Sequence, residues 1–535
     1  MQPDRLLARG ACAVRWLAVA AGFGLFLWMV ALAYVPGQGF TGLLLIGDAS
    51  AERYLPELRG PDVYRYPDHG YDAQHYAQLA LRPALNDPQL ATAVDNLPYR
   101  ARRILLPALA WLLGGGSAPQ VLTTFALLHV AAWLGLALVL WRWLPPTSPG
   151  NVVRWFGVMF SHGMCFSVRG AVPDGFGLLL IALAVIALER GRPVLSAVVL
   201  GMGGLARETT LLAGVMLAPR QLTRSALVRE VGLAVVVALP LALWVMVLRW
   251  KLGEAGAATT GNFSWPFLAY GREWREAWLH LDLPGSWIER TASLCAIVAL
   301  TVQALVIAVR PRLQDAWWRV GAGYAVLLVV LGDLVWEGVP GAAARVLLPL
   351  TLAFNLVLPR GRRWWWVLLL GNLTVVPAVL TSTVGVRDFV SVHGPSALTK
   401  TETGEWLRVE PGAEWQPLEH SPWGRHRWRW ADGPATLRVY NPHPHPVAAR
   451  IRFGLAAAQE QRAELRYAGQ VLWTGTIGRR PIQAEVSNVW ILSGVSEWIF
   501  ATDGMAQSAG PGDPRLILFN LRDVRLELTG PLPPP

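Results

Sequence analysis

The chain has 535 residues, 53% of them hydrophobic and 16% charged, with a mean hydropathy of +0.36; this composition excludes a cytosolic enzyme and places most of the chain in lipid. The net charge of +11 is carried by arginines in short linkers between apolar runs, where they orient membrane helices, so nucleic acid is not an expected partner. Three scattered cysteines, Cys12, Cys165 and Cys295, are too few for a disulfide framework or a metal site.

The first apolar run, 13–35, follows Arg5 and Arg9 and contains Arg15. Ala31-Leu32-Ala33 imitates a cleavage site, but the length of the run and the number of runs after it predict a retained anchor. Further runs cover 119–141, 152–168, 174–189, 193–217, 228–249, 291–309, 319–336, 342–358 and 364–385, giving about ten membrane segments. Arg142, Arg190, Arg192, Arg220, Arg224, Arg229, Arg310, Arg312, Arg319, Arg360, Arg362 and Arg363 fall in the linkers, which the positive-inside rule makes cytoplasmic. The 193–217 run is interrupted by Arg207-Glu208 and begins and ends at such linkers, so it is expected to dip in and return as two short helices. Alternation then puts 36–118, the turn at 169–174, 250–290, 337–341 and everything after 385 in the periplasm. The stretch 104–114 is too short to span and is expected to lie at the interface. With Lys251 and Lys400 as its sole lysines, the arginine-, alanine- and leucine-rich chain points to a bacterium of high genomic GC, hence to a multi-pass protein of the bacterial inner membrane.

From about residue 395 the pattern changes to short alternating stretches: ATLRVY (435–440), AARIRFGL (448–455), AELRY (463–467) and RLILFNL (515–521). Period two means half-buried strands, and turn residues between them predict an antiparallel β-sandwich over 395–535, after a membrane domain over 1–394 whose long first loop is 36–118. Trp423, Trp428 and Trp430 suit core packing plus membrane-interface anchoring first, as tryptophan is frequent throughout the chain, and sugar stacking second. His443 and His445, set between prolines without a second ligand cluster, read as a turn.

Chemistry is expected first in the loop 36–103, dense in acidic, aromatic and basic side chains. Within GYDAQHYAQLALRP (70–83) the spacing of Tyr71, His75 and Leu79 predicts an amphipathic helix with Asp72 in its first turn, and His75 placed to orient that carboxylate or touch a phosphate. Asp48 and Asp68 are competing loop carboxylates. Asp174 opens a helix after Pro173, with Arg169 just before it. Charges inside apolar runs are costly and by default functional: Arg207 is a lipid-phosphate ligand oriented by Glu208, or the two brace the half-helices as an ion pair. Arg345 is a second phosphate candidate, with Asp333 and Glu337 as partners. Arg100, Arg102 and Arg103 suit anionic headgroups.

Tyr71-Asp72-Ala73-Gln74-His75-Tyr76 resembles the tryptophan-aspartate motif that opens the first lumenal loop in the GPI-mannosyltransferase branch of the GT-C glycosyltransferases, with Tyr71 where tryptophan is usual. The layout over residues 10–385 is also similar: one helix, a long loop with an early acidic residue, many short helices, then a soluble domain. The family's phenylalanine-phenylalanine-proline segment is absent, and Arg103-Ile104-Leu105-Leu106-Pro107 stands in its place. The resemblance implies a GT-C-like polytopic fold and inverting sugar transfer from a polyprenyl-phosphate sugar donor to a periplasmic or lipid-linked glycan acceptor. It makes the loop carboxylate, here Asp72, the general base; the charges read from the apolar runs and loops, Arg103, Arg169, Arg207, Glu208 and Arg345, are the candidates for holding the lipid phosphate. No metal or other cofactor is assigned, since Asp48 and Asp72 are too distant in sequence to imply a shared ion. The alternatives are a transporter or lipid or glycan flippase, which a charged break in a membrane helix also suits, and a non-enzymatic membrane anchor presenting a glycan-binding sandwich.

Overall fold

The computed structural model describes all residues except 1–2, 36, 49, 61, 67–69, 220–222, 254–259, 283–286, 339, 384–388, 403–404, 421–426, 511–512 and 532–535. The chain divides into two compact units, Met1–Val384 and Gly385–Pro535.

The first unit is helical. Among the described residues, four helices are long and apolar enough to cross a membrane: Cys12–Ala31, Ala118–Arg142, Arg224–Leu252 and Thr291–Val309. Counting two bent pairs as one span each, His162–Arg169 with Asp174–Glu189 (118°) and Arg362–Leu370 with Val375–Ser382 (51°), raises the number to six. The expected ten is therefore too many by this measure, because apolarity reports solvent preference and not helix continuity. The run 342–358 splits into Ala343–Val346 and Leu348–Val357, with Pro349 opening the second piece. The run 193–217 is a helix over Pro193–Ala206, then Arg207 in extended backbone (φ −158, ψ 127), then a 3-10 helix over Glu208–Leu217. The break thus falls at the charged pair, as the sequence predicts. Such interruptions are tolerated where protein surrounds them; Tyr324 donates to the Thr209 carbonyl just past this one, at 2.7 Å.

The first loop is folded. Ile46–Gly47 pairs in parallel with Arg65–Tyr66, and Thr41 Oγ1 accepts the Tyr64 amide. The helix Ala73–Leu81 anchors it through two buried glutamines one turn apart. Gln74 Oε1 accepts from the Gly47 amide (3.1 Å) and the Tyr54 hydroxyl (2.7 Å); Gln78 accepts the Leu55 amide and donates to the Ala93 carbonyl. This helix is buried on every side except at His75, so the expected amphipathic surface helix is corrected to an internal strut. Gly70 starts it at φ +68, where a Cβ would meet Gly47 N at 2.4 Å and Leu45 O at 2.5 Å, so only glycine fits.

The second unit is β-rich. Five strands run in the order Gln470–Ile477, Gln461–Tyr467, Gly494–Thr502, Ala435–Asn441, Arg408–Pro411. A second sheet follows the order Ile482–Ile491, Val447–Ala457, Phe519–Pro531, Arg427–Ala431, Glu419–His420, and Val390–His393 joins Phe519–Pro531 in parallel. Alternate residues from both sheets, Leu437, Val439, Ile451, Phe453, Trp498 and Phe500 among them, enter one hydrophobic core. Trp428 is spoken for: its indole N–H donates to Glu419 and Arg522 covers its ring at 4.7 Å. Trp423 lies outside the described residues. His443 is buried against the Leu398 carbonyl and stacks on His445, an arrangement that suits a turn.

Candidate functional site

Elements from across the helical unit converge on one charged cluster. Asp72 sits at the start of Ala73–Leu81, and Asp174 is the first residue of Asp174–Glu189. Arg207 and Glu208 occupy the broken run, and Arg345 lies in the short turn Ala343–Val346. That turn presses on His162–Arg169 at Gly163, where a Cβ would meet the Ala344 carbonyl oxygen at 2.2 Å. This close approach sets the Arg345 guanidinium 5.4 Å from the Phe166 ring and 5.2 Å from the Tyr71 ring.

Asp174 is the hub. Its side chain is 1% exposed and takes two arginines, Arg207 Nη1 on Oδ1 at 2.5 Å and Arg345 Nη1 on Oδ2 at 3.2 Å. Arg345 Nη2 donates to the Tyr71 hydroxyl at 2.7 Å and stands 3.8 Å from Asp72 Oδ2. The other Asp72 oxygen accepts from Arg100 Nη1 at 2.9 Å. Arg100 is clamped in turn by Asp95, Nε to Oδ1 at 3.0 Å and Nη2 to Oδ2 at 2.7 Å, between the rings of Tyr76 and Tyr99. Arg103 completes the cluster: Nε donates to Glu208 Oε2 at 2.9 Å, Nη2 to the Tyr99 hydroxyl at 2.8 Å, and Nη1 to the Tyr76 hydroxyl. Four carboxylates (Asp72, Asp95, Asp174, Glu208) thus match four guanidiniums (Arg100, Arg103, Arg207, Arg345).

Asp72, Asp174, Arg207, Glu208, Arg345 and Arg103, singled out in the sequence, come together here with partners other than those expected. Arg207 and Glu208 do not brace one another: Arg207 is extended and Glu208 opens a 3-10 helix, and Arg207 reaches Asp174 while Glu208 reaches Arg103. Arg345 pairs with Asp174, whereas Asp333 pairs with Arg272. His75 turns away from Asp72: its Nδ1 accepts the Asp95 amide (3.4 Å) and its Nε2 lies 3.5 Å from Asp95 Oδ2. Asp48 stands apart in a pair with Arg65 at 2.9 Å, and Arg169 donates to the Thr381 carbonyl. Asp68 lies outside the described residues. Sequence reasoning missed Asp95 and Tyr99. Asn96-Leu97-Pro98 was the available signal, because Asn96 caps the Leu97–Arg100 turn (Oδ1 to Tyr99 N, 3.1 Å) and so presents Asp95 and Arg100 to each other.

Electrostatics follow from this packing. Burial alone would push the Asp72 carboxyl up, but the guanidiniums of Arg100, Arg345 and Arg103 outweigh it and hold it at about 2. Asp95 is likewise lowered, its burial overcome by the Arg100 hydrogen bond, while burial lowers His75 and leaves it a neutral acceptor for the Asp95 amide. Among the described residues no three His, Cys, Asp or Glu side chains come together to hold a metal ion. The arrangement offers a carboxylate, partly open to solvent, beside guanidiniums able to bind an anion.

No protein-family model matches the chain, and no curated protein matches it in sequence. Solved structures similar to it include a glycoside hydrolase family 43 arabinoxylan arabinofuranohydrolase from Bacillus subtilis, in complex with cellotetraose, at 18% identity over 23% of this chain and 25% of that one (TM-score 0.14). Another is the arabinosyltransferase EmbB from Mycobacterium smegmatis, at 11% identity over 99% of this chain and 66% of that one (TM-score 0.36). The chain thus spans a quarter of the first protein and just under two thirds of the second, and likenesses this distant carry no argument about activity.

Proposed function

We propose that this chain is an integral membrane glycosyltransferase of the GT-C type, working at the periplasmic face of the bacterial inner membrane with a polyprenyl-phosphate sugar as donor. The acceptor hydroxyl, on a periplasmic or lipid-linked glycan, attacks the anomeric carbon with inversion. The anomeric carbon–oxygen bond breaks, polyprenyl phosphate leaves with the bonding pair, and Asp72 takes the hydroxyl proton. The β-rich unit is a periplasmic module that contributes glycan affinity or packing and no chemistry.

The observation that carries this reading is the arginine that Asp72 shares with a buried carboxylate. Arg345 is fixed by Asp174 yet lies 3.8 Å from Asp72, so a proton acceptor and a phosphate-binding cation stand side by side. A carboxylate held at about 2 is a weak base at neutral pH. Donor phosphate resolves this by competing for Arg100 and Arg345, which returns basicity to Asp72 only when there is a sugar to transfer.

Asp72→Asn keeps the shape and removes the base. Assayed as purified protein with a polyprenyl-phosphate sugar, it is expected to lose about 100-fold or more in transfer with donor binding nearly intact. A fully active Asp72→Asn protein overturns the assignment, and loss of activity in Asp48→Asn instead moves the base to the other end of the loop.

A further inference from the structure

The helix Asp174–Glu189 has 16 residues, so at about 1.5 Å per residue its far end lies roughly 24 Å from the cluster just described. There Glu189 pairs with Arg142 at 2.7 Å and accepts the Trp143 indole N–H at 2.8 Å, and the Trp143 carbonyl accepts from Arg360 at 3.4 Å. The remaining arginines of this end are held differently. Among the described residues, none of Arg154, Arg310, Arg360 and Arg363 has a carboxylate within ion-pair distance.

Arg154 is buried, 4% exposed, and donates to the Asn355 carbonyl at 2.6 Å and the Pro359 carbonyl at 3.0 Å, at the end of Leu348–Val357. Its Nε is buried without a partner, and the charge that acts on it is another cation, Arg360. Arg310 lies over the Trp364 ring at 4.2 Å and Arg363 over the same ring at 5.7 Å. Val153, beside Arg154, and Trp364 both join the hydrophobic cluster of Val306, Phe354, Leu358 and Leu368, so these arginines surround one apolar patch. Next to it Val309, Trp366 and Leu369 are exposed.

A guanidinium out of water without a counter-charge, as Arg154 is, costs several kcal/mol, and the carbonyl end of a helix supplies only about half a negative charge against it. Arg310 is half-buried and Arg360 and Arg363 are exposed, so an anion drawn to this positive end can reach them. Exposed apolar side chains beside tryptophan mark the depth of a bilayer interface, where the anions at hand are phosphodiesters. We propose that this arginine–tryptophan surface binds an anionic phospholipid, its phosphate against Arg310, Arg360 and Arg363 and its chains along Val309, Trp366 and Leu369. The proposal rests on the membrane reading of the helical unit and is independent of the transferase reading.

The test places the full chain in nanodiscs of phosphatidylcholine alone or with equimolar phosphatidylglycerol, read by thermal unfolding and by the lipid retained in native mass spectrometry. Wild type is expected to retain phosphatidylglycerol over phosphatidylcholine and to melt higher in the mixed discs. Arg310→Gln with Arg363→Gln should cut that preference about 30-fold, the factor expected for two charges at a membrane surface. Arg142→Gln, whose charge Glu189 already takes, should leave the preference unchanged. Equal retention of the two lipids by wild type, or an undiminished preference in the double variant, overturns the proposal. So does stabilisation by inorganic phosphate in pure phosphatidylcholine discs that equals the effect of phosphatidylglycerol, which would mark a free-anion site.

Discussion

Asp174 and Glu189 stand at the two ends of one helix, and the arginines gathered at each end are satisfied in different ways. Around Asp174 every guanidinium of the cluster has a carboxylate, and Arg207, Asp174, Arg345, Asp72, Arg100 and Asp95 form one chain of shared side chains. Around Glu189 one pair forms, while Arg154 and Arg360 lean on backbone carbonyls and Arg310 and Arg363 on an indole ring. The residue type is the same; the counter-charge decides what it can do. A matched cluster is rigid and admits a ligand by exchange of partners, whereas an unmatched tier takes up an anion by addition.

Removing the hub should break this contrast most severely. Asp174→Asn leaves Arg207 and Arg345 buried against a neutral amide, and such a loss costs about 3–5 kcal/mol. A fall of many degrees in the melting temperature of the purified protein is expected, and a shift of a degree or two would mean that the cluster is not a matched unit. Arg207→Lys is milder: the charge stays, but the fork that places Nη1 on Asp174 and Nε 3.3 Å from Thr209 is lost. Donor affinity should drop about tenfold. Unchanged affinity with lowered stability would leave Arg207 a brace and nothing more.

A third variant sharpens the comparison through pH. Asp72 is ionised in wild type down to about pH 2, so its charge-dependent stabilisation is present above the ordinary carboxylate range and fades only as pH falls through that value. Arg100→Gln removes the closest cation, burial then weighs more, and the carboxyl must rise. The acid limb of the pH–rate profile should move to higher pH, with the plateau less affected than the limb. A limb that stays put would separate Asp72 from the rate. The smallest effect is expected at the other end, where Glu189→Gln breaks a solvent-exposed pair and should change stability by under about 1 kcal/mol.

How far the sequence discloses this site can be argued residue by residue. Asp174, Arg207, Glu208 and Arg345 declare themselves because ionisable side chains amid apolar runs need a reason to be there. Their partners do not, since Arg345 meets Asp174 across 171 positions and Tyr71 across 274. Asp95 and Tyr99 sit among ordinary loop residues, where the cap signal of Asn96-Leu97-Pro98 marks a turn but no chemistry. Strands show clearly in the tail because period two is local, as in the alternating burial of Ala435–Asn441. Helix continuity is less legible: the break at Arg207 shows because its neighbourhood is charged, whereas the one before Pro349 falls in a run that stays apolar throughout.

The hydrogen bond between Tyr71 and Arg345 also sets a schedule for biogenesis. The two residues are 274 positions apart, and at about 5–20 residues per second a ribosome takes roughly 15–55 s to travel between them. From about the midpoint of that interval Asp174 and Arg207 are both made and can neutralise one another, while Tyr71 and Asp72 wait on the nascent chain without their second arginine. The two arms of the site therefore lock together only late in synthesis, and a chain cut between residues 207 and 345 holds a preassembled half-site that never closes.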